Sequence, residues 1–313
     1  MILGWLQLIG GLLILLAGGE FLVRSSVKLA LHLNISSIVI GLTVVSFGTS
    51  FPELVVSVNA ALDGHPDISL GNVVGSNIAN LGLVLGLTAV LFPISVQRSS
   101  VVLHWPLMLL STLLLILFSW DLMIEMWEAL ILVGCLIAYN ILVIKVSGGN
   151  DVEEIEELET GIEKSYSGVI RTLIILLGSI ALLIFGADLL VEGAVVVARS
   201  FGLEERIIAI SVIAFGTSAP ELATSLIAVY KKETSIGIGN LIGSNIFNIL
   251  AILGITGIVH PIQVNSEILS FDLWWVLGIP LLITPFLLSR MKVSRMEGGV
   301  LVGMYFLYMY LIF

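Results

Sequence analysis

Two glutamates, Glu53 and Glu221, each follow a Gly-Thr-Ser-x-Pro motif inside an otherwise apolar stretch. Both lie in a segment that occurs twice, at 39–94 and 207–262, with a constant offset of 168 and 24 of 56 positions identical. The identities fall on Gly, Thr, Ser, Pro, Glu and Asn rather than on generic Leu and Ile. A carboxylate at membrane depth is costly and indicates a functional role by default. Two related carboxylates beside broken helices therefore predict a cation site at a repeat interface.

A proline directly before each glutamate should break the helix. Pro52 and Pro220 cannot donate an N–H and clash with the preceding turn, and the residue before each is pushed out of the α region. The break should leave nearby carbonyls without helical partners, as at Ser46, Thr49, Ala214 and Thr217. At membrane depth such carbonyls are tolerated only beside a cavity or another ligand. A bound cation would supply that partner.

Hydroxyls of the same motifs complete an all-oxygen set, which is the kind of ligand that Ca²⁺ and Na⁺ prefer. They belong to Thr49, Ser50, Thr217 and Ser218. No His–Cys cluster accompanies them, which argues against zinc or copper.

A second duplicated motif places amides and hydroxyls on one helix face. It reads GNVVGSN at 71–77 and GNLIGSN at 239–245. Residues spaced by four share a helix face, and the two sets are Asn72, Ser76 and Asn80, and Asn240, Ser244 and Asn248. Helix packing and interhelical hydrogen bonds would explain one such face on its own. Its duplication opposite a duplicated glutamate favours a cation site.

The composition predicts an integral membrane protein. The chain of 313 residues is 58% hydrophobic and only 12% charged, against about a quarter charged residues in soluble domains. Apolar runs predict ten spans, at about 2–23, 35–60, 68–91, 100–119, 123–145, 169–191, 206–230, 236–259, 269–289 and 297–313. We therefore expect an all-α transport domain with two halves of five helices, 1–145 and 169–313, joined by an acidic loop at 146–168.

The distribution of basic residues predicts the orientation. Eleven of the thirteen Lys and Arg fall in the connections between spans 1–2, 3–4, 5–6, 7–8 and 9–10, and only Arg199 and Arg206 fall on the other side. The positive-inside rule then puts both termini outside and the acidic loop in the cytoplasm. Because five is an odd number, a copy displaced by five helices enters the membrane in the opposite direction. The repeat is thus predicted to be an inverted repeat with broken helices at the midplane, which is a transporter architecture.

At these motifs the sequence resembles the cation/calcium exchanger superfamily, and within it the prokaryotic sodium/calcium exchanger branch. The resemblance rests on GTSFPE with GNVVGSN and on GTSAPE with GNLIGSN, and it extends over essentially the whole chain. It implies a calcium site between Glu53 and Glu221 with the carbonyls of Thr49 and Thr217. It also implies sodium sites that use Ser50, Ser218, Ser76, Ser244 and the carbonyls of Ser46 and Ala214. Alternating access would come from the first and sixth helices sliding across the core.

The chain departs from the family pattern at Asn80 and Asn248. Relatives tend to carry Asn in one repeat and Asp in the other, whereas both residues are Asn here. Potassium-dependent exchangers resemble the Asp form, so this chain is expected to be independent of K⁺. With two carboxylates in the core, one Ca²⁺ or two Na⁺ would balance the charge. The family's usual exchange of three Na⁺ for one Ca²⁺ would then be electrogenic.

Three other interpretations of the function remain. A Ca²⁺/H⁺ exchanger of the same superfamily usually places a glutamate soon after the Gly-Asn pair, where this chain has Val73 and Val74, although buried carboxylates can also bind protons. A passive cation channel fits an inverted repeat with a midplane site less well. An intramembrane enzyme lacks support, because neither an H-E-x-x-H motif nor a Ser–His or Ser–Lys arrangement is present.

We expect no cofactor, no nucleic acid and no obligate protein partner. The predicted partners are the transported ions, Ca²⁺ and Na⁺, and the lipid bilayer. Because no large regulatory domain separates the two halves, the predicted location is a prokaryotic plasma membrane.

Overall fold

The computed structural model describes residues 2–147, 166–201 and 214–312, and these are predominantly helical. The helices are α1 (Ile2–Leu33), α2 (Ser37–Thr49), α3 (Phe51–Leu62), α4 (residues 66–91), α5 (Ser100–Phe118), α6 (Met126–Ser147), α7 (Tyr166–Ser200), α8 (Ala214–Thr217), α9 (Ala219–Tyr230), α10 (Thr234–Val259), α11 (Ile268–Arg290) and α12 (Arg295–Ile312). Most of the acidic loop and the start of the predicted span 206–230 lie outside the described residues.

The helices account for ten crossings when each broken pair counts as one. Seven helices of the described ranges are long and apolar enough to cross a membrane alone, and the pair α2–α3, bent by 45°, makes an eighth. The pair α8–α9 and helix α12 complete the ten. This arrangement confirms the predicted fold class.

The two halves repeat even their irregular turns. π-Helical segments occur within α4 at Ala79–Val84 and within α10 at Asn248–Leu253. Another pair begins α5 at Ser100–His104 and α11 at Ile268–Asp272; the first pair is 169 residues apart and the second is 168 residues apart. Local backbone geometry therefore follows the sequence repeat, and π-turns of this kind are frequent at functional sites.

Two short sheets join the halves at opposite ends of the bundle. Strands β1 (Ile94–Ser95) and β4 (Lys292–Val293) pair antiparallel, and so do β2 (Met123–Ile124) and β3 (Ile262–Gln263). The first sheet joins the connections between spans 3–4 and 9–10, and the second joins those between spans 4–5 and 8–9. Each sheet thus links connections that ten crossings place on the same face of the membrane.

Glycines bring α1 and α7 into direct backbone contact. A Cβ atom on Gly11 would lie 2.7 Å from the carbonyl oxygen of Gly186, and one on Gly193 would lie 2.7 Å from that of Gly4. The contacts recur every seven residues on both helices, and the chains run antiparallel. Small residues at such spacing let membrane helices approach closely. The two longest helices therefore form one tightly packed pair.

Helices α1 and α7 are longer than predicted. The prediction ended the first span near residue 23 and the sixth near 191, whereas the helices continue to Leu33 and Ser200. Hydropathy marks where the apolar stretch ends, but charged residues such as Arg24 and Lys28 are good helix formers. Both helices accordingly extend beyond their apolar segments.

Candidate cation site

The helix breaks place both glutamates at the first turn of a new helix. Ser50 and Ser218 interrupt the two helices with the same backbone angles, φ near −86° and −88° and ψ near 6° and 3°. Glu53 and Glu221 follow in the first turns of α3 and α9, and their exposed fractions are 1% and 0%. The N-terminal end of a helix carries partial positive charge, which stabilises a carboxylate there.

Hydroxyl groups of the first half of the chain donate hydrogen bonds to Glu221 and Asn240 of the second half. The Ser50 hydroxyl donates to Glu221 Oε1 at 3.2 Å, and the Thr49 hydroxyl donates to Asn240 Oδ1 at 3.0 Å. Thr49 Oγ1 also lies 3.4 Å from Ser244 Oγ. These contacts bring the break of α2–α3 directly against α9 and α10.

A row of amides joins the two long inner helices α4 and α10. Asn248 donates from Nδ2 to Asn77 Oδ1 at 3.0 Å, and Asn77 donates to the carbonyl of Asn245 at 3.2 Å. Asn72 donates to the carbonyl of Glu53 and to Ser57 Oγ. The amides therefore fix the positions of the two helices relative to each other and to the break at Glu53.

Close helix contact depends on one glycine of the duplicated motif. A Cβ atom on Gly243 would lie 2.6 Å from Ser46 Oγ and from the carbonyl oxygen of Leu42. Any other residue would push α10 away from α2, and the Thr49–Ser244 contact would lengthen with it.

Several buried oxygens of the cluster have no hydrogen-bond partner among the residues that the structure describes. They are Glu53 Oε2, Glu221 Oε2, Asn80 Oδ1, Asn248 Oδ1 and Ser218 Oγ. A buried polar atom without a partner costs about 1–3 kcal/mol, and a hard cation coordinated by oxygens would remove that cost. Across the described ranges there is no group of three or more His, Cys, Asp or Glu side chains. The donor set is thus carboxylate, amide and hydroxyl oxygen, which suits Ca²⁺ and Na⁺ better than zinc or copper.

The structure brings most of the predicted residues into one cluster. Thr49, Ser50, Glu221 and Ser244 are linked by hydrogen bonds, and Ser76 is buried on α4. Thr217 is half-buried at the end of α8. Ala214 is the first residue of α8, and its side chain lies outside the described part.

The prediction for the Ser46 carbonyl is wrong in one respect. That carbonyl was expected to lose its helical partner, but it accepts the Ser50 N–H at 3.0 Å. The break comes later because it is Pro52 that lacks an N–H, so the carbonyl without the usual donor is that of Gly48. The Ser46 carbonyl also accepts the Thr49 hydroxyl at 3.4 Å, so both of its lone pairs have donors in this conformation, and its use as a sodium ligand stays a prediction.

Asn77 was missing from the predicted site. It lies on the face of α4 next to the one that carries Asn72, Ser76 and Asn80, so spacing by four did not select it. Its occurrence in both copies of the motif, as Asn77 and Asn245, was the available signal.

Two of the other acids in the membrane helices, Glu128 and Asp272, have partners close by. Glu128 accepts the backbone N–H of Glu125 at the start of α6, and Asp272 accepts the hydroxyl of Tyr308. The first is a helix cap and the second a contact between α11 and α12.

The halves differ in how far they are covered by protein. Val56 on α3 is 43% exposed, whereas its counterpart Thr224 on α9 is 0% exposed. Helix α1 packs along α9, with Gly19 against Ile227. In the described part of the chain the corresponding packing of α7 on α3 is at most marginal. An almost symmetric sequence therefore adopts a clearly asymmetric conformation.

The comparisons with known proteins agree with this architecture. The profile of the family described as sodium/calcium exchanger protein matches residues 3–145 and 171–313. The chain belongs to the sodium/calcium exchanger family. A putative antiporter, CaxA of Alkalimonas amylolytica, is 37% identical over 309 residues, which cover 97% of this chain and 96% of that protein.

Other members of the family agree in sequence and in fold. The sodium/calcium exchanger MaX1 of Methanosarcina acetivorans is 31% identical over 350 aligned positions, covering 99% and 98% of the two chains. The solved sodium/calcium exchanger of Methanococcus jannaschii superposes with a TM-score of 0.81 at 28% identity, covering 99% and 98%. The family likeness thus extends over both halves, including the segments that carry Glu53 and Glu221.

Proposed function

We propose that this protein is a secondary active antiporter that exchanges Na⁺ for Ca²⁺ by alternating access. One observation carries the proposal: two buried carboxylates, Glu53 and Glu221, lie in the first turns after two helix breaks, among amide and hydroxyl oxygens. Two carboxylates balance one Ca²⁺ or two Na⁺, so the same site can hold either ion in turn. Membership of the sodium/calcium exchanger family supports the same exchange.

The ligand assignment follows the cluster. Ca²⁺ would lie between Glu53 and Glu221 with the carbonyls of Thr49 and Thr217. Na⁺ would use hydroxyls and carbonyls around it, from Ser50, Ser218, Ser76, Ser244, Ser46 and Ala214. Asn80 and Asn248 would add neutral oxygens, which supports transport that is electrogenic and independent of K⁺.

The orientation is part of the proposal. We place both termini outside and the acidic loop in the cytoplasm of a prokaryotic plasma membrane, on the distribution of Lys and Arg. In that orientation α9 runs from the site towards the cytoplasm and α3 towards the exterior. The covered α9 and less covered α3 then correspond to a conformation that is closed on the cytoplasmic side.

The direct test is uptake of radioactive Ca²⁺ into Na⁺-loaded proteoliposomes. We expect uptake to depend on the outward Na⁺ gradient and to be absent in Na⁺-free vesicles. Uptake driven by a pH gradient alone would establish the Ca²⁺/H⁺ exchanger instead, and Ca²⁺ flux without any counter-ion would establish a channel.

Substitution of the two glutamates tests the site itself. Glu53→Gln and Glu221→Gln should each abolish uptake while leaving a monodisperse protein, because a divalent ion would keep one carboxylate in a low-dielectric site. Glu128→Gln is the matched control, since it changes a buried glutamate that caps α6. If either central variant transported like the wild type, the site assignment would be wrong.

A further inference from the structure

A cavity of about 710 Å³ lies between α1 and the turn that joins α9 to α10, well apart from the cation cluster. Its apolar wall comes from Val23, Val27 and Leu31 of α1. Tyr230, which is 70% exposed, forms part of the opposite side and packs on Phe92 with ring centroids 5.9 Å apart. Tyrosine is a typical residue of the membrane–water interface. The cavity therefore has an apolar wall on α1 and an edge at the membrane–water interface.

Three basic side chains and one acid, Glu233, line the rest of the cavity. Arg24 and Lys28 come from α1 and Lys231 from the turn. Glu20 pairs with Arg24 at 2.5 Å and with Lys231 at 2.7 Å. Lys28 is exposed and has no ion-pair partner within the described ranges. With Glu20 and Glu233 counted against Arg24, Lys28 and Lys231, the cavity keeps an excess of one positive charge, and Lys28 is its cation without an ion pair in the described ranges.

The repeat provides an internal control for this charge. The positions related to Arg24, Lys28 and Lys231 by the offset of 168 are Glu192, Val196 and Asp63. None of the three basic residues thus has a basic counterpart, and the basic residue of the equivalent place is Arg199, the counterpart of Leu31. The basic cavity is not a by-product of the duplicated fold, and it lies on the face that holds eleven of the thirteen Lys and Arg.

We propose that this cavity binds the phosphate headgroup of an anionic phospholipid from the surrounding leaflet. Lys28, Arg24 and Lys231 contact the phosphate, and an acyl chain lies along Val27, the partly exposed apolar residue of the α1 wall. A lipid is favoured over a soluble anion because the cavity joins basic groups to an apolar wall at the interface. Clusters of Lys and Arg at the membrane surface attract anionic lipids in this way.

Lipid binding would also favour one conformation. The cavity lies at the end of the contact between α1 and α9, and a headgroup held by Lys28 and Lys231 contacts both elements. A ligand that binds one conformation more tightly shifts the population towards it. The anionic lipid therefore favours the state in which α1 covers α9.

The test measures lipid retention by the whole protein. Protein is taken from vesicles of phosphatidylcholine with or without phosphatidylglycerol, and bound lipid is counted by native mass spectrometry. We expect the wild type to retain phosphatidylglycerol selectively. Lys28→Gln should lower its affinity about fivefold, the effect of about one basic residue near an anionic surface. Arg98→Gln, which removes an exposed cation from the same face outside the cavity, should leave it unchanged.

Two results would overturn the proposal. Equal losses in Lys28→Gln and Arg98→Gln would show diffuse attraction to the surface rather than a site. Displacement of the lipid by inorganic phosphate at equal concentration would show a site for a soluble anion. Thermal unfolding in detergent is the second measurement: at the same lipid concentration, phosphatidylglycerol should raise the midpoint of Lys28→Gln by less than that of the wild type and of Arg98→Gln. Neither measurement needs transport, so the outcome is independent of which ions are exchanged.

Discussion

The ion pair between Glu20 and Lys231 should bias this protein towards the conformation described here. It joins α1 to the end of α9 at 2.7 Å, with the two side chains 30% and 26% exposed. The positions related to them by the repeat are Asp188 and Asp63, two acids. A conformation in which α7 covered α3 would bring like charges together where this one has an ion pair. We therefore expect the two conformations to differ in free energy through this pair.

The size of the bias follows from the exposure of the pair. Exposed ion pairs contribute about 0.2–1 kcal/mol, and a short, partly buried pair belongs at the upper end. A loss of about 1 kcal/mol changes an equilibrium about fivefold. Lys231→Met should thus lower the preference for the α9-covered conformation by about fivefold.

Thiol labelling can measure this change in vesicles of phosphatidylcholine alone. Ala223 lies under α1, with its carbonyl oxygen 3.3 Å from the position of a Cβ on Gly19. In a Cys135→Ser background, a cysteine at Ala223 should react about fivefold faster with a soluble thiol reagent after Lys231→Met. High salt should accelerate the reaction in the parent protein, since it screens a partly exposed pair.

Lys232→Asn is the matched control for the labelling experiment. It removes the neighbouring positive charge, which has no ion-pair partner among the residues that the structure describes. Its φ of 67° suits asparagine. If Lys232→Asn accelerated labelling as much as Lys231→Met, or if neither did, the ion pair would not set the conformational balance.

Three further predictions address coupling, packing and topology. Ca²⁺ uptake against outgoing Na⁺ should run without K⁺ and accelerate when the vesicle interior is made positive, and Asn248→Asp should disturb both properties by adding a third carboxylate; uptake indifferent to voltage would refute the charge argument. Gly193→Val should destabilise the protein by about 1–3 kcal/mol in denaturant unfolding, because its side chain would meet the backbone of α1, whereas Gly178→Val on the same helix has open space. A cysteine at Glu156, in the same Cys135→Ser background, should not react with an impermeant thiol reagent applied outside intact cells. Labelling at this position would show that the acidic loop faces the exterior.

The sequence predicted the fold well because the repeated residues include Pro and Gly, which affect the local backbone conformation strongly. Pro52 and Pro220 each follow a Gly-Thr-Ser sequence that weakens the helix before the proline, and the offset of 168 places both breaks without any knowledge of packing. The span count and the inverted relation of the halves followed from hydropathy and an odd number of helices. The ends of α1 and α7 were missed because hydropathy reports where a helix stops being apolar and not where its hydrogen bonds end.

The site was predicted less completely because contacts between helices decide it. The spacing of Asn72, Ser76 and Asn80 identified one face of α4, but the partner of Asn77 lies on α10, and only the packed structure shows it. The asymmetry between Val56 and Thr224 could not be predicted either. The duplicated motifs alone do not indicate which of the two segments α1 covers, since that depends on contacts across the whole bundle, such as the ion pair between Glu20 and Lys231.

The glycine contacts between α1 and α7 have a consequence for the fidelity of exchange. Two helices that touch through backbone atoms at Gly4, Gly11, Gly186 and Gly193 cannot separate without losing that contact, so they move as one body. A single body that lies over α9 is not available to lie over α3 at the same time. Loosening the pair would let each helix move alone and both sides open together. A Gly11→Leu variant that still folded would then leak Ca²⁺ down its gradient without counter-ion, an uncoupled flux that intact packing suppresses.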